Sequence, residues 1–189
     1  MRGSAEATRQ RIVQAAYELF YRQGYTRTSV DVIAQKSGLT KRTLYYHFRS
    51  KDDLLASVFE LHRGLALKRI SEWSSTLSGD VDGLLNGLFA DLAAWASKPR
   101  WAGAGFTRIV MELADLPGHP ARAIARRHKA EVELWLAEQL SARNITDSGG
   151  KARQVMLLLE GCLSLLLIHG DKGYADSAAA AAKALISRA

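Results

Sequence analysis

The sequence predicts an all-α fold of about nine helices, and three observations carry the prediction. Apolar residues recur three and four positions apart, lining one side of a helix, and no stretch alternates apolar with polar as a half-buried strand does. Ser and Thr stand where helices would begin, with an acid three residues on at two of those starts. The segments between periodic runs (SKPRWAGAG, LPGHP, RNITDSGG, GDKG) are rich in Gly, Pro, Asn and Asp, which interrupt helices for backbone reasons. Internal repeats are absent.

The first helix carries Ile12, Ala16, Leu19 and Phe20 on one face and closes at Gly24. In the second, Thr28 is the expected N-cap with Asp31 completing a capping box, and Val30, Ile33 and Ala34 form the apolar stripe. Gly38 ends it, since glycine takes the left-handed backbone needed just past a helix end without a steric cost, and Thr40 caps the third helix. Leu39 can staple onto Leu44, while Leu44 and Phe48, four apart, face inward. The outward set is then Lys41, Arg42, Thr43, Tyr45, Tyr46 and His47, each able to hydrogen-bond a phosphate or a base edge. Ser50, boxed by Asp53, opens a long fourth helix whose face of Leu54, Leu55, Val58, Leu61, Leu65 and Ile70 leads to Trp73, and SSTLSGD ends it. Further helices are expected over about 81–97, 104–115, 120–142, 150–169 and 174–188.

Two short helices joined by a glycine turn, the second with basic and aromatic side chains outward, are how a DNA-reading module is built. Charge supports this independently. Residues 1–51 hold ten Lys or Arg against three acids, and the chain totals of 26 and 19 leave 16 of each beyond position 51. The whole excess of seven therefore sits on the quarter bearing the motif, an electrostatic footprint for a polyanion. A basic membrane-surface helix is the competing explanation, yet the apolar residues here are used to pack helices together.

At 189 residues and 48% hydrophobic, the chain can bury a substantial core in one body or two closely joined domains. A single cysteine, Cys162, excludes an intramolecular disulfide, and MRGSAEATRQR lacks the apolar segment of a signal peptide, so the cytoplasm is the expected location. The longest apolar run, 155–168, is short for a bilayer and contains Glu160, so no membrane partner is expected. The five histidines (His47, His62, His119, His128, His169) show no HExxH spacing, and His128 with Glu131 lacks the companion carboxylates of a di-iron bundle. With no Walker loop, GxSxG elbow or GxGxxG after a strand, neither catalysis, a metal nor a cofactor is expected.

The segment TSVDVIA…SGLTKRTLYYHFRSKDDL resembles the N-terminal helix-turn-helix of the tetracycline-repressor (TetR/AcrR) family of bacterial transcription regulators, over about residues 12–55. The resemblance implies a DNA-binding domain over residues 1–50 and a helical effector-binding and dimerisation domain over 51–189. It further implies a homodimer on a palindromic double-stranded DNA operator, released by a small organic effector. By the family pattern, Arg42 and Thr43 are the first candidates for base contacts, Arg42 through guanine O6 and N7 and Thr43 through a thymine methyl, with Tyr45 and Lys41 next. Thr28, Thr40, Tyr46, His47 and Lys51 are the expected phosphate contacts, which fix register without reading sequence. For Tyr45 and Tyr46 helix packing is the alternative role.

The helix near 150–169 is apolar almost all round, so one side can face the domain core while another needs a partner. Gly161 and Ser164 permit close helix approach, Leu163 and Leu167 are candidate interface residues, and the alanine-rich tail offers a second helix, together suggesting a symmetric four-helix interface. The candidate effector pocket draws on Trp73, Phe89, Trp95, Trp101, Phe106, Met111 and Trp135, with Arg108 and Glu160 as orienting polar groups. Core packing explains the aromatics equally, and Arg108 with Glu112 also reads as an i, i+4 surface pair. The alternative function is a DNA-bound structural or interaction protein of the same fold, such as a division-blocking factor without an inducer; a helical enzyme or ligand binder that borrowed the fold fits the basic motif least.

Overall fold

The computed structural model describes residues 2–76 and 79–187, with side chains for 4–66, 68 and 79–187. Among the described residues are nine helices and no strand: α1 (Arg2–Gln23), α2 (Val30–Lys36), α3 (Lys41–His47), α4 (Lys51–Thr76), α5 (Val81–Ala96), α6 (Gly105–Glu112), α7 (Pro120–Ser141), α8 (Ser148–His169) and α9 (Gly173–Ser187). The all-α expectation holds, with α6 shorter than expected because successive turns carry the chain from Leu113 to His119. The side chains of Ile70 and Trp73 lie outside the described residues.

The chain forms two compact units, Met1–Leu65 with Gly105–Arg127, and Ala66–Ala104 with His128–Ala189. The unit that carries the helix-turn-helix thus extends beyond residue 50 and takes in α6 and the start of α7. Apolar packing explains this: Ile109, Leu113 and Ala121 join the same core as Ile12, Phe20, Ile33, Leu44, Phe48 and Leu54. Polar contacts reinforce it. Arg108 Nη2 donates to the Phe20 carbonyl at 3.2 Å, and the Thr26 amide donates to Glu112 Oε2 at 2.9 Å.

In the second unit α5, α8 and α9 pack on one another around Leu85, Phe89, Val155, Cys162 and Ala182. α7 runs antiparallel to α8, as the ion pairs Lys129–Glu160 and Arg153–Glu133 require. Buried Lys151 donates from Nζ to the Ile186 carbonyl at 3.3 Å, placing a cation at the C-terminal end of α9 where the helix dipole favours it. By length and composition α8 is long and apolar enough to cross a membrane. Its fit to this unit gives it another role: Ala152, Val155, Leu159, Cys162, Leu163 and Leu166 enter the core, and Glu160 pairs with Lys129.

Candidate nucleic-acid interface

The recognition geometry begins at the end of α1. Gly24 has φ +90°, and its amide donates to the Phe20 carbonyl at 3.0 Å, closing the helix. That φ favours glycine, and a Cβ there would lie 2.6 Å from Glu112 Oε1 and displace that carboxylate. The N-cap of α2 is Ser29, whose hydroxyl accepts from the Val32 amide at 3.3 Å, and not Thr28 as the spacing suggested. Thr28 is 1% exposed and its hydroxyl donates to the Gly24 carbonyl at 2.7 Å, satisfying a group left over at the end of α1. That engagement removes Thr28 from the phosphate contacts. Asp31, released from the expected box, accepts from Lys41 Nζ at 3.1 Å.

α2 ends in a paired turn around Gly38, φ +65°: the Gly38 amide donates to the Gln35 carbonyl and the Leu39 amide to the Ala34 carbonyl, both at 3.0 Å. This Schellman geometry is the physical reason for glycine at this position. Thr40 then caps α3 as expected, accepting from the Thr43 amide at 3.1 Å, and its hydroxyl also meets that of Thr43 at 2.9 Å. Leu44 and Phe48 are 0% and 1% exposed, so the opposite side of α3 faces solvent. Lys41, Arg42, Tyr45 and Tyr46 are exposed, Tyr46 at 84%, while Thr43 and His47 are half-buried. The Tyr46 ring meets only the edge of its neighbour His47, 5.3 Å between centroids, and is otherwise open to solvent.

α4 starts from Ser50, whose hydroxyl accepts from the Asp53 amide at 3.0 Å while Asp53 Oδ2 accepts from the Arg49 amide at 3.1 Å. Lys51 is drawn into the fold. Its Nζ donates to the Tyr25 and Thr28 carbonyls, both at 3.1 Å, and lies 4.1 Å from the Tyr25 ring centroid. Burial lowers its pKa below the ordinary lysine value, against the opposing pull of the Asp52 and Glu112 carboxylates. Tyr25 donates its hydroxyl to Asp52, and burial together with that carboxylate raises its pKa well above the usual phenol value. Lys51 is therefore a positioning residue that ties α4 to the α1–α2 turn. Arg27 and Arg49, which the sequence reading did not single out, are exposed cations flanking α2 and α3.

The candidate effector residues are divided between the two units. Phe106 packs edge-on to Phe59, 4.6 Å between centroids, and with Arg108 and exposed Met111 belongs to the unit of the helix-turn-helix. Phe89 is 1% exposed in the second core, and Glu160 is paired with Lys129. Trp95 and Trp101 meet edge to face at 5.7 Å. Trp135 follows Glu133, whose partner is Arg153, whereas the turn bearing Trp101 reaches Leu167 through Gly103. At 1.5 Å per residue these levels on α8 are roughly 20 Å apart, so Trp135 belongs to a different stretch of the unit. The indole N–H groups of Trp101 and Trp135 are buried without an acceptor. On α8, Leu163 is 8% exposed and lies in the subunit's own core, which removes it from the interface set. Gly161 and Ser164 are exposed beside Leu157 and Ile168, each 70% exposed, and Leu167 is 45% exposed.

The family model of bacterial regulatory proteins, tetR family, matches residues 12–58, which covers α2, α3 and their supports on α1 and α4. The regulator AcrR of Shigella flexneri is 36% identical over 76 residues, covering 40% of this chain and 35% of that protein. An HTH-type transcriptional regulator encoded in the lacX 3′ region of Lactococcus lactis subsp. lactis is 25% identical over 178 residues, covering 90% of this chain and 88% of that protein. Among solved structures, SCO4454, a TetR-family transcriptional regulator from Streptomyces coelicolor, superposes with a TM-score of 0.84 at 21% identity, covering 96% of this chain and 95% of that one. Escherichia coli NemR in its reduced form gives a TM-score of 0.81 at 18% identity, covering 95% and 97%. These structural likenesses are of fold. With the matched motif, its caps and its exposed basic helix in place, residues 12–58 form a helix-turn-helix domain of the tetR family of bacterial regulatory proteins.

Proposed function

We propose that the protein is a cytoplasmic, homodimeric repressor that reads a palindromic DNA operator through α3 and leaves it when a small organic molecule binds the second unit. The observation that carries the reading is α3 itself, a helix anchored by Leu44 and Phe48 that presents Lys41, Arg42, Tyr45 and Tyr46 to solvent. Arg42 is the base reader, with Thr43 and Tyr45 beside it, and Thr40, Tyr46, His47, Arg27 and Arg49 meet phosphate. One seven-residue helix spans few base pairs, so a pair related by two-fold symmetry is needed to specify a site.

The partner face runs along α8 through Leu157, Gly161, Ser164 and Ile168, spaced at helical intervals and exposed in the single chain. An apolar stripe of this kind supports pairing with a second copy of itself across a two-fold axis. For the effector, Trp95 and Trp101 supply two apolar ring surfaces set at 79° to one another, and the Trp101 N–H supplies a donor awaiting an acceptor. Release requires differential affinity: turning about 99% competent protein into about 1% takes roughly 10⁴-fold preference for the non-binding conformation.

Recovery of the genomic fragments retained by the purified protein tests the reading. Enrichment of an inverted repeat supports it; retention without sequence preference, and without release by any small molecule that quenches the tryptophans, would favour a structural DNA-bound role.

A further inference from the structure

Between Leu19 and Lys51 the chain has seven Lys or Arg and one acid, Asp31. The structure distributes those cations unevenly. Lys36 pairs with Glu18 on α1 at 2.9 Å, Lys51 is engaged by backbone carbonyls, and Lys41 is held by Asp31 at 3.1 Å. Asp31 lies in the first turn of α2, and Lys41 is the first residue of α3. Each is at a helix N-terminus, where the dipole favours the carboxylate and disfavours the ammonium, so the pair offsets the unfavourable placement of Lys41. Both side chains remain largely exposed, Lys41 at 51% and Asp31 at 68%. An ion pair so exposed is weak and opens readily for a better acceptor.

We propose that Asp31 is a specificity-determining residue, whose charge cancels that of Lys41 against sequence-independent attraction to phosphate while leaving the ammonium free to turn to an acceptor on the operator. The inference rests on the DNA-binding reading above. On arbitrary DNA an Asp31–Lys41 pair contributes no net charge, and a lone Asp31 carboxylate among phosphates is repelled. Arg42 has no such carboxylate and stays available for base readout, so the motif keeps its reader while damping its general attraction to the polyanion.

The test is fluorescence anisotropy with a labelled random-sequence duplex, titrated between about 50 and 200 mM salt. Asp31→Asn should free one cation per subunit and steepen the log–log salt slope by about 0.9 per subunit, or about 1.8 for a dimer, an additional change of about 12-fold in the dimer's affinity over that range. Lys41→Gln should flatten the slope, and the double variant should return to the wild-type slope, because it too lacks net charge at this point. A slope unmoved by Asp31→Asn, with Lys41→Gln still flattening it, would overturn the proposal by showing that Lys41 already meets phosphate. Failure of the wild type to bind any duplex at low salt would overturn the DNA-binding reading itself, a result distinct from the first.

Discussion

Gly24→Ala probes the joint on which the recognition helices hang. The native φ of +90° is one that an L side chain rarely adopts, a strain of about 1–2 kcal/mol or somewhat more. The new Cβ would also stand 2.6 Å from Glu112 Oε1. The carboxylate is the end of a flexible side chain and gives way, but in moving it surrenders the Thr26 amide at 2.9 Å, a charge-assisted bond taken at about 1–2 kcal/mol because Thr26 is exposed. Gly24→Ala should therefore cost about 2–4 kcal/mol, and Glu112→Ala alone about 1–2 kcal/mol. In the double variant the bond is lost only once, so its cost should fall short of the sum by about 1–2 kcal/mol. Urea unfolding followed by far-UV circular dichroism is the assay, since Trp95, Trp101 and Trp135 lie in the second unit and report on it. Costs that add to within about 0.5 kcal/mol would refute the claim that Glu112 and Gly24 share one contact.

Arg42→Ala should relax preference at one position in each half-site, costing about 1–3 kcal/mol per lost base contact, while Tyr46→Phe should weaken all sequences alike; competition binding against single-base operator variants separates the two. Leu157→Glu or Ile168→Glu should give a folded monomer by sedimentation, whereas Leu163→Glu should unfold the second unit, because that leucine lies in its core. Tyr25→Phe should flatten an alkaline loss of stability. The folded phenol has the higher pKa, so its contribution is complete below the ordinary phenol value near 10 and is lost as pH rises towards the folded value. A wild-type alkaline transition unchanged by Tyr25→Phe would remove that residue from the account.

Much of the fold was legible because its signals are local. Thr40 and Ser50 each have a backbone amide three residues on to satisfy, and Gly38 has no competitor for its left-handed turn. The cap of α2 was not, since Thr28 and Ser29 are adjacent hydroxyls. The choice depends on the Gly24 carbonyl, which captures Thr28 and leaves Ser29 to cap. Phe106, Arg108 and Met111 follow the fourth and fifth helices in sequence and so read as part of a second domain, but Ile109 and Leu113 commit their helix to the first core. Along α8, apolar residues on nearly every face leave no periodicity from which to assign Leu163 inward and Leu157 outward. The polar ends of Glu112 and Asp31 were likewise beyond reach, because their partners are set by tertiary and interhelical packing.

The most direct measurement is a hydroxyl-radical footprint of the protein on a genomic fragment it selects, compared with a Lys41→Ala, Arg42→Ala, Tyr45→Ala triple variant. Two symmetry-related protected patches are expected, with centres one helical turn of roughly 34–36 Å or a multiple of it apart, occupied by two chains and lost in the variant. A single asymmetric patch, or protection that survives the triple substitution, would contradict reading by a pair of α3 helices.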